Sequence, residues 1–439
     1  MGIIKAKIIL SLILCSLILA SNCTHLPKEI SIAYADNQVS TEPSLSTSAN
    51  GYTWQDLVKI AIEKSSEYPA AMEEALAEYY RYKARTDFED LRLTFDYALR
   101  DAVGNNRSRF GGDLRFYIPN PFVNKQEIRA GTSAWRESKA EADEIKYQIA
   151  LTVYELFHEI ISVEKNIEIL NSRELLLSEW TEHLKARQSA RLATQADLMS
   201  LELQKIRLKS SVNHAYFENM AARRSLQMLV QIKDDDLRLD IKPIDWETVL
   251  ASLSDEEKLI EDAFSRSWEL SAASASYEKA RAMLAVARAR QIPWFAHVQA
   301  GYDLRSTIVL NSVPSNEWTV QLMINLPVFS WMNSEKKRAV AQMQAAHLRE
   351  TDIRERIRNT ISGNIKDLHE AISLRNEYIS LLDSVPIPVR ESTLDAETFF
   401  KLMDTRLSAA ESVIKTELHC AIIYGQIENL VSTPRLFFD

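Results

Sequence analysis

The chain has 439 residues, 46% of them hydrophobic and 26% charged, with a formal net charge of −9. That length leaves room for two or three ordinary domains, and the acidic balance offers no attraction to nucleic acid. Only 9 glycines are present, which argues against Gly-rich phosphate loops and turn-rich all-β folds and favours long helices.

At the N-terminus, Lys5 and Lys7 precede an apolar stretch, Ile8 to Ala20, of signal-peptide length. Two exits are open. "LASNC" puts Cys23 where a bacterial lipobox has its acylated cysteine, with Asn22 departing from the usual Gly or Ala. "AYAD" offers an A-x-A site ending at Ala35, about fifteen residues beyond the apolar core. Cys23 is the preferred exit, giving a signal peptide over 1–22 and a lipid-anchored tether over 23–50 that is rich in Ser, Thr and Pro. Cys15 falls inside the signal, so Cys23 and Cys420 remain, too few for a disulfide framework. No later apolar run is long enough to span a bilayer as a helix.

Residues 51–231 form a first unit. Trp54 to about Asp90 reads as helical. Leu93, Phe95, Tyr97 and Leu99 then alternate with polar neighbours, a strand over about 91–100 with one apolar face. "AVGNNRSRFGG" reads as a loop, and a second strand covers about 113–119. From Lys125 to Gln188 apolar residues fall at 149, 153, 156, 160, 163, 167, 170 and 177, a heptad seam. After a turn in "ARLATQAD" the seam resumes at 198, 201, 208, 212, 215, 222, 226 and 229, so 125–231 is an antiparallel helical hairpin. The turn centre near Arg191 sets its register and makes Ile167 and Ala215 neighbours.

A linker over 232–254 breaks the pattern, and 255–431 repeats it, with a tail at 432–439. A helix is predicted from Asp255 to Arg290, strands at about 293–304 and 317–327, and a helical hairpin over 335–431. Its seam runs through 357, 361, 365, 368 and 372, then 409, 413, 420, 423 and 427. Trp318, Val320, Leu322 and Ile324 share one face of the last strand, opposite Thr319, Gln321 and Asn325. Leu198 and Phe399, Leu201 and Leu402, Val212 and Val413 are each 201 residues apart.

The duplication also explains a His-Glu pair. "LFHEIIS" at His158 suggests a zinc-hydrolase fragment, but Ser162 stands where H-E-x-x-H needs its second His. "DLHEAIS" repeats the phrase at His369, 211 residues on. Both pairs sit beside seam residues, Ile160 and Ile372, so polar flanks contacting a neighbouring helix are the preferred reading. No metal, cofactor or catalytic residue is proposed.

Two isolated hairpins with open edges are not stable alone. Strands of about ten residues with one apolar face suit a membrane β-barrel, and four strands cannot close one, so several chains must share it. The layout resembles the TolC family of outer membrane efflux proteins from about Tyr52 to Val431. The similar segments are "YTWQDLVKIAIEKSSEYPAA", "FYIPNPF", "RLATQADLMSLELQKIRL" with "SLQMLV", the stretch from "IEDAFSRSWEL" to "FAHVQAGY", and "INLPVFSW".

The resemblance implies a mainly α fold with a membrane β part: a homotrimer with a shared twelve-stranded β-barrel and an α-helical tunnel. It implies a non-enzymatic exit duct in the outer membrane, extending into the periplasm. Such a duct serves a tripartite efflux or type I secretion system with a periplasmic adaptor and an inner-membrane pump. Trp318, Val320, Leu322 and Ile324 would face lipid. Arg191, Leu192 and Asp395 would sit at the adaptor-docking tips, where the family usually has Gly. Asp404, in "LMDTR", and Lys401 are candidates for the pore aperture, against the plainer role of solvated helix flanks. The second hairpin is shorter: His158 to Arg191 is 33 residues, His369 to Asp395 is 26, a difference of one heptad. "VPIPV" at 385–389 also interrupts that arm, which would set the two tips at different heights. The alternative is a lipid-anchored periplasmic coiled coil, structural or adaptor-like, without a pore.

Overall fold

The structure, a computed structural model, describes residues 51–87, 92–102, 105–190, 194–233, 237–307, 315–325, 333–384 and 396–431. In chain order the elements are α1 (Trp54–Lys64), α2 (Glu67–Lys83), β1 (Arg92–Ala102), β2 (Asn105–Tyr117), α3 (Pro121–Ser189) and α4 (Gln195–Val230). Then come α5 (Trp246–Ser252), α6 (Glu256–Arg266), α7 (Trp268–Ala289), β3 (Trp294–Thr307), β4 (Ser315–Asn325), α8 (Asn333–Ser384) and α9 (Ala396–Val431).

The long first helix of each repeat is in fact two. Residues 54–83 break at Ser65, whose ψ of 130° is extended, and Pro69 withholds the N–H that a continuous helix would need there. Residues 256–289 break at Ser267, whose side chain accepts from the Leu270 N–H and caps α7. The linker is not bare either: Asp245 caps the short α5 inside it. β1, β2 and β3 run longer than their alternation suggests, and β4 begins two residues earlier. Gly111 and Gly112 lie within β2 rather than in a loop, because a Cβ at Gly111 would fall 2.3 Å from the Asp303 carboxylate on the neighbouring strand.

The helical hairpins follow the seams. Pro121 opens α3 under an Asn120 cap, and Thr194 caps α4 in a reciprocal box with Asp197. Ile167, Leu170, Leu208, Val212 and Ala215 are buried in one cluster, the pairing the turn register requires. Above it, α1 joins α3, α4 and Leu237 of the linker in one core. The second repeat builds the matching core from α6, α8 and α9, with Trp246 of α5.

Ion pairs between Lys165 and Glu417 (3.5 Å) and between Arg173 and Glu411 (3.4 Å) lace α3 to α9 across the repeats. Gly425 of α9 admits the Tyr154 ring of α3, 2.7 Å from where its Cβ would be.

The "VPIPV" segment lies outside the described residues, but the described parts of α8 and α9 differ in reach. Arg375 of α8 bonds Glu417 of α9 at 2.8 Å, which sets Ser384 level with about residue 408. Roughly twelve residues of α9, about 18 Å, therefore lie beyond the last described turn of α8. They pack on α3 instead, with the Trp180 and Phe400 rings 4.3 Å apart.

Candidate functional site

The four strands form one antiparallel sheet in the order β1-β2-β3-β4, and the β2–β3 pairing joins the repeats. Its register sorts residues into rows. Phe95, Gly112, Tyr302 and Trp318 align across the sheet, as do Leu93, Leu114, Ala300 and Val320; Phe116, Val298 and Leu322 form a third apolar row. Successive residues point to opposite faces. The intervening rows therefore lie on the other side: Thr94, Asp113, Gly301 and Thr319, then Arg92, Arg115, Gln299 and Gln321.

That second face is polar and internally bonded. The Arg115 Nε donates to Gln299 Oε1 at 3.1 Å and lies 3.2 Å from Asp113 Oδ2. The first face leaves Phe95 66%, Trp318 76% and Leu322 56% exposed. A bulge at Phe295/His297 restores alternation so that Ile324 pairs with Phe295. Among the described residues, β1 and β4 each have only one strand neighbour.

The sheet is braced where it meets the helices. Glu127 of α3 is buried, 3.2 Å from Arg290 and 3.6 Å from Arg85, and Arg290 also reaches Glu335 of α8 at 2.7 Å. The Trp294 indole donates to the Ile118 carbonyl at 3.2 Å. Nothing in the periodicity marked this cluster, because each partner is an ordinary charged residue on its own helix.

At the far end, Asp404 is exposed and paired with Arg173, 2.9 Å away. The Arg173 guanidinium also donates to Ser408 Oγ at 2.6 Å. Lys401 stands one turn before Asp404 on an exposed face of α9. Both border an open groove of about 790 Å³ that also holds Trp180, Arg187, Arg207 and Phe400. The sequence signalled Asp404 but not its cation, which lies 231 residues earlier on α3. Arg191, Leu192, Asp395 and Cys23 lie outside the described residues.

The repeated His-Glu phrase has two fates. Glu159, His369 and Glu370 are exposed on the flanks of their helices. His158 is mostly buried against the Tyr154 ring, with centroids 4.5 Å apart. Burial, and secondarily Lys165, push its pKa down to about 4. Among the described residues, no group of three or more His, Cys, Asp or Glu gathers that could hold a metal.

No protein-family model matches the sequence, and no curated protein matches it significantly. Solved structures do match. CusC, whose structures concern folding and transmembrane channel formation, aligns with a TM-score of 0.68 at 12% identity, over 88% of this chain and 95% of that one. The outer membrane protein VceC of Vibrio cholerae gives 0.64 at 12% identity, over 86% and 95%. The CmeC outer membrane channel of Campylobacter jejuni gives 0.63 at 13% identity, over 86% and 85%. At such identities the likeness is one of fold. This chain has the helical-tunnel and sheet architecture of those outer membrane proteins.

Proposed function

We propose that this chain is one protomer of an outer-membrane exit duct that carries substrates across the periplasm and outer membrane. The observation that carries this reading is the sheet: an apolar face and a polar face in register, with two open edges. An exposed apolar sheet with unpaired edges is an aggregation hazard in water, whereas in a membrane it must close on itself. Three copies edge to edge make a twelve-stranded barrel, with Trp318, Val320, Leu322 and Ile324 toward lipid and Thr319, Gln321 and Asn325 toward the lumen. The fold shared with outer membrane channels supports the same reading.

In such a duct the helical hairpins form a periplasmic tunnel. The tips at Arg191, Leu192 and Asp395 meet an adaptor that links to an inner-membrane pump. Asp404 and Lys401 lie near the tunnel mouth, where Arg173 tempers the Asp404 charge. No covalent chemistry is assigned. Cys23 serves as the lipid anchor. The mass of the mature N-terminus should then be that of diacylglyceryl-Cys23; an unmodified chain starting at Asp36 would overturn the anchor.

Purified protein in planar bilayers tests the duct. Wild type and Gln321→Arg should both give discrete channel steps. Leu322→Arg should give few or none, because a charge on the lipid face costs about 2–4 kcal/mol near the midplane. Steps from neither form, or equal steps from both variants, would contradict the assignment.

A further inference from the structure

The inter-repeat linker does not cross the helices at random. Its backbone is pinned to the start of the chain: the Tyr52 N–H donates to the Arg238 carbonyl and the Asp240 N–H to the Tyr52 carbonyl, both at 2.8 Å. Leu237 is buried in the first core. From there residues 241–246 pass over α3 and α9 and roof a cavity of about 120 Å³. That is several times the space one water needs, and too little for a drug-sized molecule.

The polar groups around it are His158, Ser162 and Lys165 of α3, Lys242 of the linker, Arg375 of α8 and Glu417 of α9. Three fixed cations face one carboxylate. That carboxylate is engaged already: Arg375 donates twice to Oε1, at 3.2 and 2.8 Å, and Lys165 lies 3.5 Å from Oε2. A cation entering here would meet net positive charge. The His158 Nε2 atom is buried and has no hydrogen-bond partner among the described residues. The atom lies behind the cavity wall, with almost no surface open to a water-sized guest, so the imidazole would sense a guest through its charge rather than by a direct bond.

We propose that this cavity binds a small free oxyanion, held by the Ser162 hydroxyl and the Lys165 and Lys242 ammonium groups, with the His158 ring in its wall. Charge-assisted bonds from ammonium groups to such an anion are among the stronger hydrogen bonds available. The duplicated phrase makes the assignment specific to one copy. His369 carries the same neighbours in sequence, but it is exposed and lies outside the cavity wall. The site does not depend on the barrel, so it stands or falls separately from the channel reading.

The charged groups that line the cavity with the imidazole are Lys165, Lys242, Arg375 and Glu417, and Lys165 is the one that acts on the ring. With burial and Lys165 disfavouring its proton, His158 is neutral near pH 7. A bound anion acts the other way, so its binding must raise the His158 titration midpoint.

The test uses full-length protein in detergent at constant ionic strength, titrated with inorganic phosphate against a chloride control. Calorimetry should show one phosphate per chain. The histidine carbon resonance assigned through His158→Gln should titrate at least about one pH unit higher with phosphate than with chloride. Lys242→Gln, on the exposed linker, should weaken phosphate binding about tenfold while the phosphate-free thermal unfolding midpoint stays unchanged. If His158→Gln fails to fold, the Lys242→Gln comparison still decides. No saturable binding below about 10 mM phosphate would overturn the proposal. So would binding that Lys242→Gln leaves unchanged, or a His158 midpoint that phosphate does not move.

Discussion

His158 and His369 sit in the same short phrase but at different phases of their seams, two residues before Ile160 and three before Ile372, and one is mostly buried while the other is exposed. That one-residue difference in phase turns His158 toward the helices and the linker packed on α3, and leaves His369 on an outer face of α8. A consequence for stability follows from the His158 pKa. Its folded value is about 4, below the ordinary 6.5, so the unfolded chain binds the extra proton first as pH falls. Stability should therefore be fully present above about pH 6.5 and decline toward pH 4, by on the order of 3 kcal/mol from this group. Denaturant unfolding in phosphate-free buffer should show that slope, and His158→Gln should flatten it. An unchanged slope in the variant would mean that His158 is solvated. Asp404 teaches the same lesson about residues: its place near the hairpin end was legible from "LMDTR", but the Arg173 beside it was not, because ion pairs between elements leave no local pattern.

Heptad spacing made the four long helices, the turn near Arg191 and the Ile167–Ala215 pairing legible, since a seam must be buried wherever the helices run. The breaks at Ser65 and Ser267 were less visible, because a cap changes one residue's backbone without interrupting the apolar period. The glycines of β2 were misread as a loop, because the reason for them, close approach of Asp303, lies on another strand. Helix glycines allow a direct test of packing at this scale. An added Cβ at Gly425 would strike Tyr154, whereas Gly363 of α8 has nothing within 4 Å. Gly425→Ala should lower stability by about 1–3 kcal/mol by forcing the α3–α9 contact apart. Gly363→Ala should raise it by about 0.5–1 kcal/mol through helix propensity. Thermal unfolding of both variants checks the pair, and a reversed order would mean that α3 and α9 do not pack as described.

At the scale of the molecule the duplication was plain in the sequence, down to seam residues 201 apart. The joining of the repeats through β2 and β3 was not, because strand order is a property of the assembled sheet. The remaining step is from one chain to a closed ring, and it rests on β1 of one copy meeting β4 of the next. Within a chain these strands are three strand spacings apart, about 14 Å, beyond the roughly 7 Å that a disulfide can bridge. The most direct measurement is therefore oxidative cross-linking of membrane-inserted protein in a Cys420→Ser background. One cysteine replaces Phe95 on β1 and a second is stepped through Trp318, Val320 and Leu322 on β4. In a closed three-chain barrel one register yields covalent dimers and trimers and nothing larger, with no link inside a chain. Monomers at every register, or a ladder continuing past three, would contradict the closed three-chain barrel.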